Sequence, residues 1–297
     1  MASFPESEIA AGQRLERVGV IVHPSRSIAR PLRKLRGWAG SRGADVVQIP
    51  VHAQEPPVAE EGDPGDCDLI VSIGGDGTML AAIHAAVAVD RPVLGVACGS
   101  LGVLTTVGPS ELPDALDRFR AGAWLARRLP ALDVARDGQP GLFAFNDIAV
   151  VRAGIGQIRL TSRVDGVLFS RVAGDGCIVS TPIGSSAYTL AAGGPMLTSE
   201  TEAYLLTPLP THGGSRQPLV IGAGARLELE VDSGIGGARL EIDGQIAATQ
   251  LASVTIAFRR AVATLVSFAD QEHLFASLRR RRVIVDSPRI VADDERS

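Results

Sequence analysis

The chain is almost without lysine. Of its 29 basic residues, Lys34 is the single lysine and the rest are arginines. Lys34 sits in Arg33-Lys34-Leu35-Arg36, a pattern that reads as a helix surface. A P-loop needs a lysine directly after its glycine-rich turn, and a protein kinase needs one on its third strand. Neither context exists here, and lysine Schiff-base chemistry is not expected. Cysteine is scarce as well. Cys67, Cys98 and Cys177 lie far apart, with no CxxC pair and no disulfide framework, which fits a reduced, cytoplasmic setting. The five histidines, His23, His52, His84, His212 and His273, show no HExxH and no Cys/His spacing for zinc, so no metal site built from protein ligands is expected. No apolar run approaches ~18 residues, which excludes a membrane-spanning helix. Residues 1–11 carry acids and no basic region, unlike a secretory leader. Excess positive charge is also missing. With 33 acids against 29 bases the net charge is −4, which argues against nucleic-acid binding.

What is present is a globular composition. The 297 residues are 45% hydrophobic and 21% charged, enough for one large or two ordinary domains and incompatible with disorder over most of the length. The first third alternates strands and helices. Strands are expected at 17–23 (RVGVIVH, ended by Pro24), 44–50, 68–73 and 91–98. Helices are expected at 27–40 and 78–89, and a loop rich in Pro, Glu, Asp and Gly at 54–66. Strands that read as continuous apolar runs between helices imply a parallel sheet covered on both faces.

After about Pro130 the texture changes. Strand-like runs at 132–136, 142–152, 157–164, 167–172, 219–221, 226–231, 239–242 and 253–258 follow one another. In RLELEV at 226–231, Leu227, Leu229 and Val231 share one face, the mark of an antiparallel β domain. A helical stretch at 185–192 interrupts it. Residues 271–282 read as a final helix closing on four arginines, 279–282, a solvated end favoured by the helix dipole.

Three stretches carry chemistry. The first is Gly74-Gly75-Asp76-Gly77-Thr78, where a buried strand ends and a helix is expected to start at Thr78. Glycines there let the backbone approach a ligand, and the helix N-terminus offers N–H groups and a positive partial charge to phosphate. Ligands bind at the carboxyl ends of parallel strands. A carboxylate beside a phosphate cradle is unfavourable unless it acts. Asp76 is therefore read as a proton acceptor or magnesium neighbour, against a plain helix N-cap. The second stretch is the glycine-rich GVACGSLGVLT at 95–105, whose spacing is not GxGxxG. The third is hydroxyl-rich: Gly174-Asp175-Gly176, then STPIGSSAY at 180–188, then Gly193-Gly194-Pro195. Its hydroxyls and helical N–H groups suit a nucleotide's ribose or phosphates.

In this order and spacing, over about residues 17–280, these motifs resemble those of the NAD kinase family (ATP- or polyphosphate-dependent). Its GGDGT signature is found at 74–78, and its second glycine motif is similar to 95–105. Its Asn-Glu pair is similar to Asn146-Asp147, its long β-domain motif to 174–196, its Pro-His loop to 207–218, and its Asp-Gly-Gln turn to Asp243-Gly244-Gln245. The resemblance implies an NAD kinase-like fold: an α/β domain with a parallel sheet over 1–128, an antiparallel β-sandwich-like domain over 129–268, and a tail, 269–297, returning to the first domain. The site is expected between the two domains.

It also implies transfer of the ATP γ-phosphoryl group to the 2′-hydroxyl of the adenosine ribose of NAD. Asp76 would be the base. Gly74, Gly75, Gly77 and Thr78 would cradle the phosphates, and Mg²⁺ would arrive on the nucleotide. Asn146 and Asp147 would hold ribose hydroxyls. Asp175, Ser186, Ala187 and Tyr188 would line the dinucleotide pocket, with Asp243 and Gln245 near the substrate. The family forms homodimers and homotetramers, so a homo-oligomer is expected. Departures cluster on the substrate side: Val103 for a Phe, Asp147 for a Glu, Ile183 for a Thr or Ser, and Thr211 and Gly213 beside His212 for a Pro and a Ser. They leave room for two alternatives, a divergent kinase acting on another hydroxylated metabolite (nucleoside, sugar or polyol) and a non-catalytic nucleotide-binding regulator.

Overall fold

The computed structural model describes residues 15–51, 56–99, 102–214, 216–272, 274–294 and 296. Residues 1–11, His52, His273, Ser100 and Leu101 of the second glycine motif, and Ser215 of the 207–218 stretch lie outside these. The chain divides into two compact units. Ser7–Arg127 and Ala263–Ser297 form one, and Arg128–Val262 builds the other.

The α/β unit begins with β1 (Arg17–Val22), α1 (Ala29–Arg42), β2 (Asp45–Gln48), β3 (Leu69–Gly74), α2 (Asp76–Val87), β4 (Val93–Ala97) and α3 (Leu112–Arg120). The strands run parallel in the order β2-β1-β3-β4. β1, β3 and β4 have almost no exposed residue, as strands covered on both faces should. Leu32, Leu35 and Trp38 of α1 and Leu112, Leu116 and Phe119 of α3 share a core with Val18, Val20, Val71 and Leu94 of the sheet. Helix α3 has no counterpart in the sequence reading. It is short and starts beside Pro113, yet Leu112, Ala115, Leu116 and Phe119 form a helical apolar stripe. The β3–α2 junction also differs. Helix α2 begins at Asp76, two residues before the expected Thr78, because Gly75 is extended and already caps it.

The β unit follows with β5 (Leu125–Arg136), β6 (Gln139–Ala144), β7 (Asp147–Arg152), β8 (Ile158–Val164), β9 (Val167–Gly174), β10 (Gly176–Ser180), the single-turn α4 (Tyr188–Ala191), β11 (Ala203–Pro208), β12 (Leu219–Gly222), β13 (Arg226–Asp232), β14 (Ala238–Ile242) and β15 (Gln245–Ala248). The long β16 (Ser253–Ser267) comes next, then α5 (Leu274–Arg280) and α6 (Pro288–Asp294), which belong to the α/β unit. One antiparallel layer holds β16-β13-β8-β9, and the other has the order β12-β11-β10-β7-β14-β15. Alternation fills the core between them. Ile148 and Val150 of β7 join Leu227 and Leu229 of β13 and Val254 and Ile256 of β16, while Ala149 and Val151 pack on the opposite face of their sheet.

Four sequence expectations are corrected here. The run 142–152 breaks at Phe145-Asn146 into β6 and β7. The hydroxyl-rich stretch is not all turn, since Gly176–Ser180 is a fully buried strand between β7 and β11. Buried on both faces, it has no alternation to betray it. β11 was unread for the same reason. The strand at 253–258 runs on to Ser267. Its midpoint is masked by Arg259 and Arg260, which point outward to Asp133 and Glu202 at 2.7 and 2.6 Å. Helical structure at 185–192 reduces to a 3-10 turn at Gly184–Ser186 and the one turn of α4.

Candidate active site

In the α/β unit, the chain passes from β3 through Gly74 and Gly75 into α2. The first helical bond runs from the Met79 N–H to the Gly75 carbonyl at 3.0 Å, so the N–H groups of Asp76, Gly77 and Thr78 precede the ladder. Asp76 is not the helix cap that the sequence allowed. It is the first helical residue, and its carboxylate turns to the loop after β4. Oδ2 accepts the Val103 N–H and Oδ1 the Leu104 N–H, both at 3.0 Å. Gly102 makes room for this. A Cβ there would overlap the Asp76 carboxylate. Thus Val103 meets Asp76 through its main chain, while its side chain is half-buried.

Two arginines border the same turn. Arg281 Nη1 lies 3.6 Å from Asp76 Oδ2, with the two side chains 32% and 27% exposed. The guanidinium of Arg26, in the loop after β1, lies over Gly75, where an added methyl would sit 3.2 Å from Nη1. The arginine run at 279–282 is therefore no plain solvated end. Arg279 pairs with Asp286 at 2.6 Å, Arg280 with Glu272 at 2.8 Å, and Arg281 with Asp76. Nothing in the sequence distinguished these three from one another. Arg26 carried no motif at all.

In the β unit, a second corner forms where β6 gives way to β7. Asp243, in the tight β14–β15 turn, accepts three main-chain N–H groups. Its Oδ2 takes that of Phe145 at 2.9 Å, and its Oδ1 those of Asn146 at 2.7 Å and Asp147 at 3.1 Å. The turn needs left-handed backbone at both Asp243 (φ 49°) and Gly244 (φ 79°), which Asp-Gly tolerates. Behind the corner, Thr181 Oγ1 donates to the Phe145 carbonyl at 2.7 Å, and the Thr181 N–H donates to the Asn146 carbonyl at 2.9 Å. Gly184 closes in so tightly that a Cβ would strike the Asn146 carbonyl. Asn146 is half-buried and Asp147 buried. Burial, with the negative charges of Asp243 and Glu241, pushes the Asp147 carboxyl up to about 7. Glu241 was not singled out in the sequence, and Thr181 only as one hydroxyl of the stretch at 180–188.

The remaining residues are dispersed over the β unit. Asp175, between β9 and β10, forms a 2.6 Å ion pair with Arg152. Ser186 donates its hydroxyl to the Ile183 carbonyl at 2.9 Å. Ala187, Tyr188 and Gln245 are exposed, whereas Ile183 is only 4% exposed. Among the described residues, no three His, Cys, Asp or Glu side chains gather as a metal cluster, and no helix is long and apolar enough to cross a membrane.

A fixed carboxylate at a glycine-rich strand-to-helix turn is the equipment of a phosphotransferase, and comparison with known proteins narrows the class to one family. The ATP-NAD kinase N-terminal domain model matches residues 18–123, and the ATP-NAD kinase C-terminal domain model matches 146–268. The chain belongs to the ATP-NAD kinase family. It is 34% identical to the NAD kinase of Heliobacterium modesticaldum over 256 residues, 82% of this chain and 90% of that one. It is also 34% identical to the NAD kinase of Ralstonia nicotianae, over 80% of this chain and 82% of that one. Among solved structures, yeast NADH kinase complexed with NADH shares the fold, with a TM-score of 0.78 at 20% identity over 96% of this chain and 94% of that one. An Archaeoglobus fulgidus NAD kinase in complex with ATP gives a TM-score of 0.71 at 25% identity, covering 91% and 100%.

Proposed function

We propose that this chain transfers the γ-phosphoryl group of ATP to the 2′-hydroxyl of the adenosine ribose of NAD, yielding NADP and ADP. The observation that carries this reading is the Asp76 carboxylate, held by two main-chain N–H groups at a phosphate turn within a chain of this family. In the reaction, Asp76 accepts the proton of the 2′-hydroxyl while that oxygen attacks the γ-phosphorus and the bond to ADP breaks. The glycines at 74, 75 and 77, with Thr78, receive the phosphates on main-chain N–H groups and on the positive end of α2. Asn146 and Asp147 hold ribose hydroxyls, and Asp243 sets their orientation by anchoring the main chain of both.

A divalent cation, magnesium in this reading, arrives on the ATP phosphates. Asp76 is an isolated acid in its turn, a donor set that fits a cation already ligated by phosphate oxygens rather than a protein cage. Such an ion neutralises charge on the phosphates. A homo-oligomer is supported by β9, the end strand of its layer. There Val167, Leu168 and Phe169 are 71%, 47% and 40% exposed. Light scattering at about the monomer mass across the micromolar range would contradict it. The unpaired cysteines Cys67, Cys98 and Cys177 support a cytoplasmic setting.

The test of function is ADP release from Mg-ATP with NAD, NADH, and a panel of nucleosides and polyols. NAD is expected to be turned over with the highest kcat/KM. Turnover of a panel member with none of NAD would replace this reading with that of a divergent kinase.

A further inference from the structure

The three paired arginines of the tail do different things. Arg279 and Arg280 close local ion pairs with Asp286 and Glu272, which tie α5 to its own flanks. Arg281 instead reaches the phosphate turn, and Ser277 Oγ, on the buried side of α5, donates to the Gly102 carbonyl at 3.4 Å beside it. Arg26 stands over Gly75 of the same turn and has no ion-pair partner among the described residues. A guanidinium beside Asp76, a second over Gly75 and the positive end of α2 thus converge on a turn that carries a single carboxylate. That is an excess of positive charge where the chain offers no lysine. A guanidinium presents its donors as a planar fork matched to phosphate oxygens. A ligand with several negative charges satisfies this site better than Asp76 alone.

We infer that Arg281 and Arg26 bind the phosphates of the donor, and that Arg281 exchanges Asp76 for those phosphates when the donor arrives. This rests on the kinase reading above. Its consequence is an order of events. Without donor, Arg281 covers the carboxylate that is to accept the proton. With donor bound, Arg281 is drawn to the phosphates, and Asp76 is uncovered while the Val103 and Leu104 N–H groups keep it aimed. The same contact that binds the donor therefore exposes the base, and no bond is made or broken in the exchange.

The test is calorimetric titration with Mg-ATP, NAD omitted, beside steady-state kinetics. Arg281→Gln is expected to weaken ATP binding about tenfold and Arg26→Gln severalfold, with the KM for NAD within about twofold of the parent. Arg281→Lys keeps the charge and should recover part of the loss. A general packing defect would not produce that rescue, or the split between the two KM values. Asp76→Asn frees Arg281 and should tighten ATP binding, with a gain that shrinks in the Arg281→Gln background.

Inorganic tripolyphosphate is titrated in parallel. Dependence on Arg281 for both ligands assigns the contact to any phosphate chain, and for ATP alone to a nucleotide's phosphates. Unchanged ATP affinity in folded Arg281→Gln overturns the inference and leaves the proposed function standing. If Arg281→Gln does not fold, unchanged ATP affinity in Arg26→Gln, an exposed loop position, overturns it instead. A parent that binds ATP through Arg281 yet phosphorylates no NAD removes the acceptor assignment and leaves this inference intact.

Discussion

Two aspartates, one in each unit, live in opposite surroundings. Asp76 is partly exposed, accepts two main-chain N–H groups and faces an arginine. Asp147 is buried, faces Asp243 and Glu241, and holds its proton up to about pH 7. The first is held in place by donors and the second is a group near the edge of ionisation. The contrast shows how one side chain is given two tasks by what surrounds it. Main-chain donors and a neighbouring guanidinium keep a carboxylate aimed, whereas burial beside like charges raises the pH at which a carboxylate ionises.

The most drastic way to break the contrast is to remove the charge of Asp76. Asp76→Asn keeps the shape but only one of the two main-chain contacts, since its amide nitrogen cannot accept from the second N–H; kcat is expected to fall by ~10² to 10⁴, with a stability loss of about 1–3 kcal/mol. More than half of the parent's kcat would deny Asp76 its role as base. Next comes the support of the second corner. Asp243→Ala leaves three main-chain N–H groups without their acceptor, and unfolding in urea should show a loss of about 3 kcal/mol, with a raised KM for NAD and an unchanged KM for ATP. Equal effects on both substrates would show that the corner does not serve the acceptor alone.

The smallest effect sharpens the comparison through pH. The Asp147 carboxyl is raised from an ordinary aspartate's 3.8 to about 7. A raised acid costs nothing below about pH 4, where it is neutral folded or unfolded; stability is then lost as pH climbs from about 4 to about 7, and the loss is complete above that. Asp147→Asn removes that slope. Its stability relative to the parent should improve by about 2 kcal/mol between pH 5 and pH 8 in urea titrations. The KM for NAD of the parent should fall as Asp147 ionises near pH 7, and that limb should vanish in the variant. Parallel stability curves would show that Asp147 is not strained by its neighbours.

The strand-to-helix turn at 74–78 and the parallel sheet of the first strands, though not their order, were legible, because continuous apolar runs and a glycine cluster are local signals. The Asp243-Gly244 turn was equally visible as a motif, although its work is done on residues nearly a hundred positions earlier. What escaped was either buried or distant. β10 and β11 lack alternation because both their faces are covered, and β16 hides its length behind two outward arginines. Arg281 could not be separated from its three neighbours in sequence, since its importance lies in which acid it meets. Arg26 had no signal because a lone arginine after a strand is common in any protein.

The chain leaves the α/β unit at Arg127 and re-enters it at Ala263, and this has a bearing on synthesis. The core around Leu35 and Phe119 also contains Val266 and Phe268, which emerge from the ribosome only after the whole of Arg128–Val262 has been made. The inserted unit is continuous in sequence and is free to fold while translation proceeds. The unit that begins first must therefore wait with its parallel strands exposed and finish last, after the inserted unit has been made and the returning segment from Ala263 has left the ribosome.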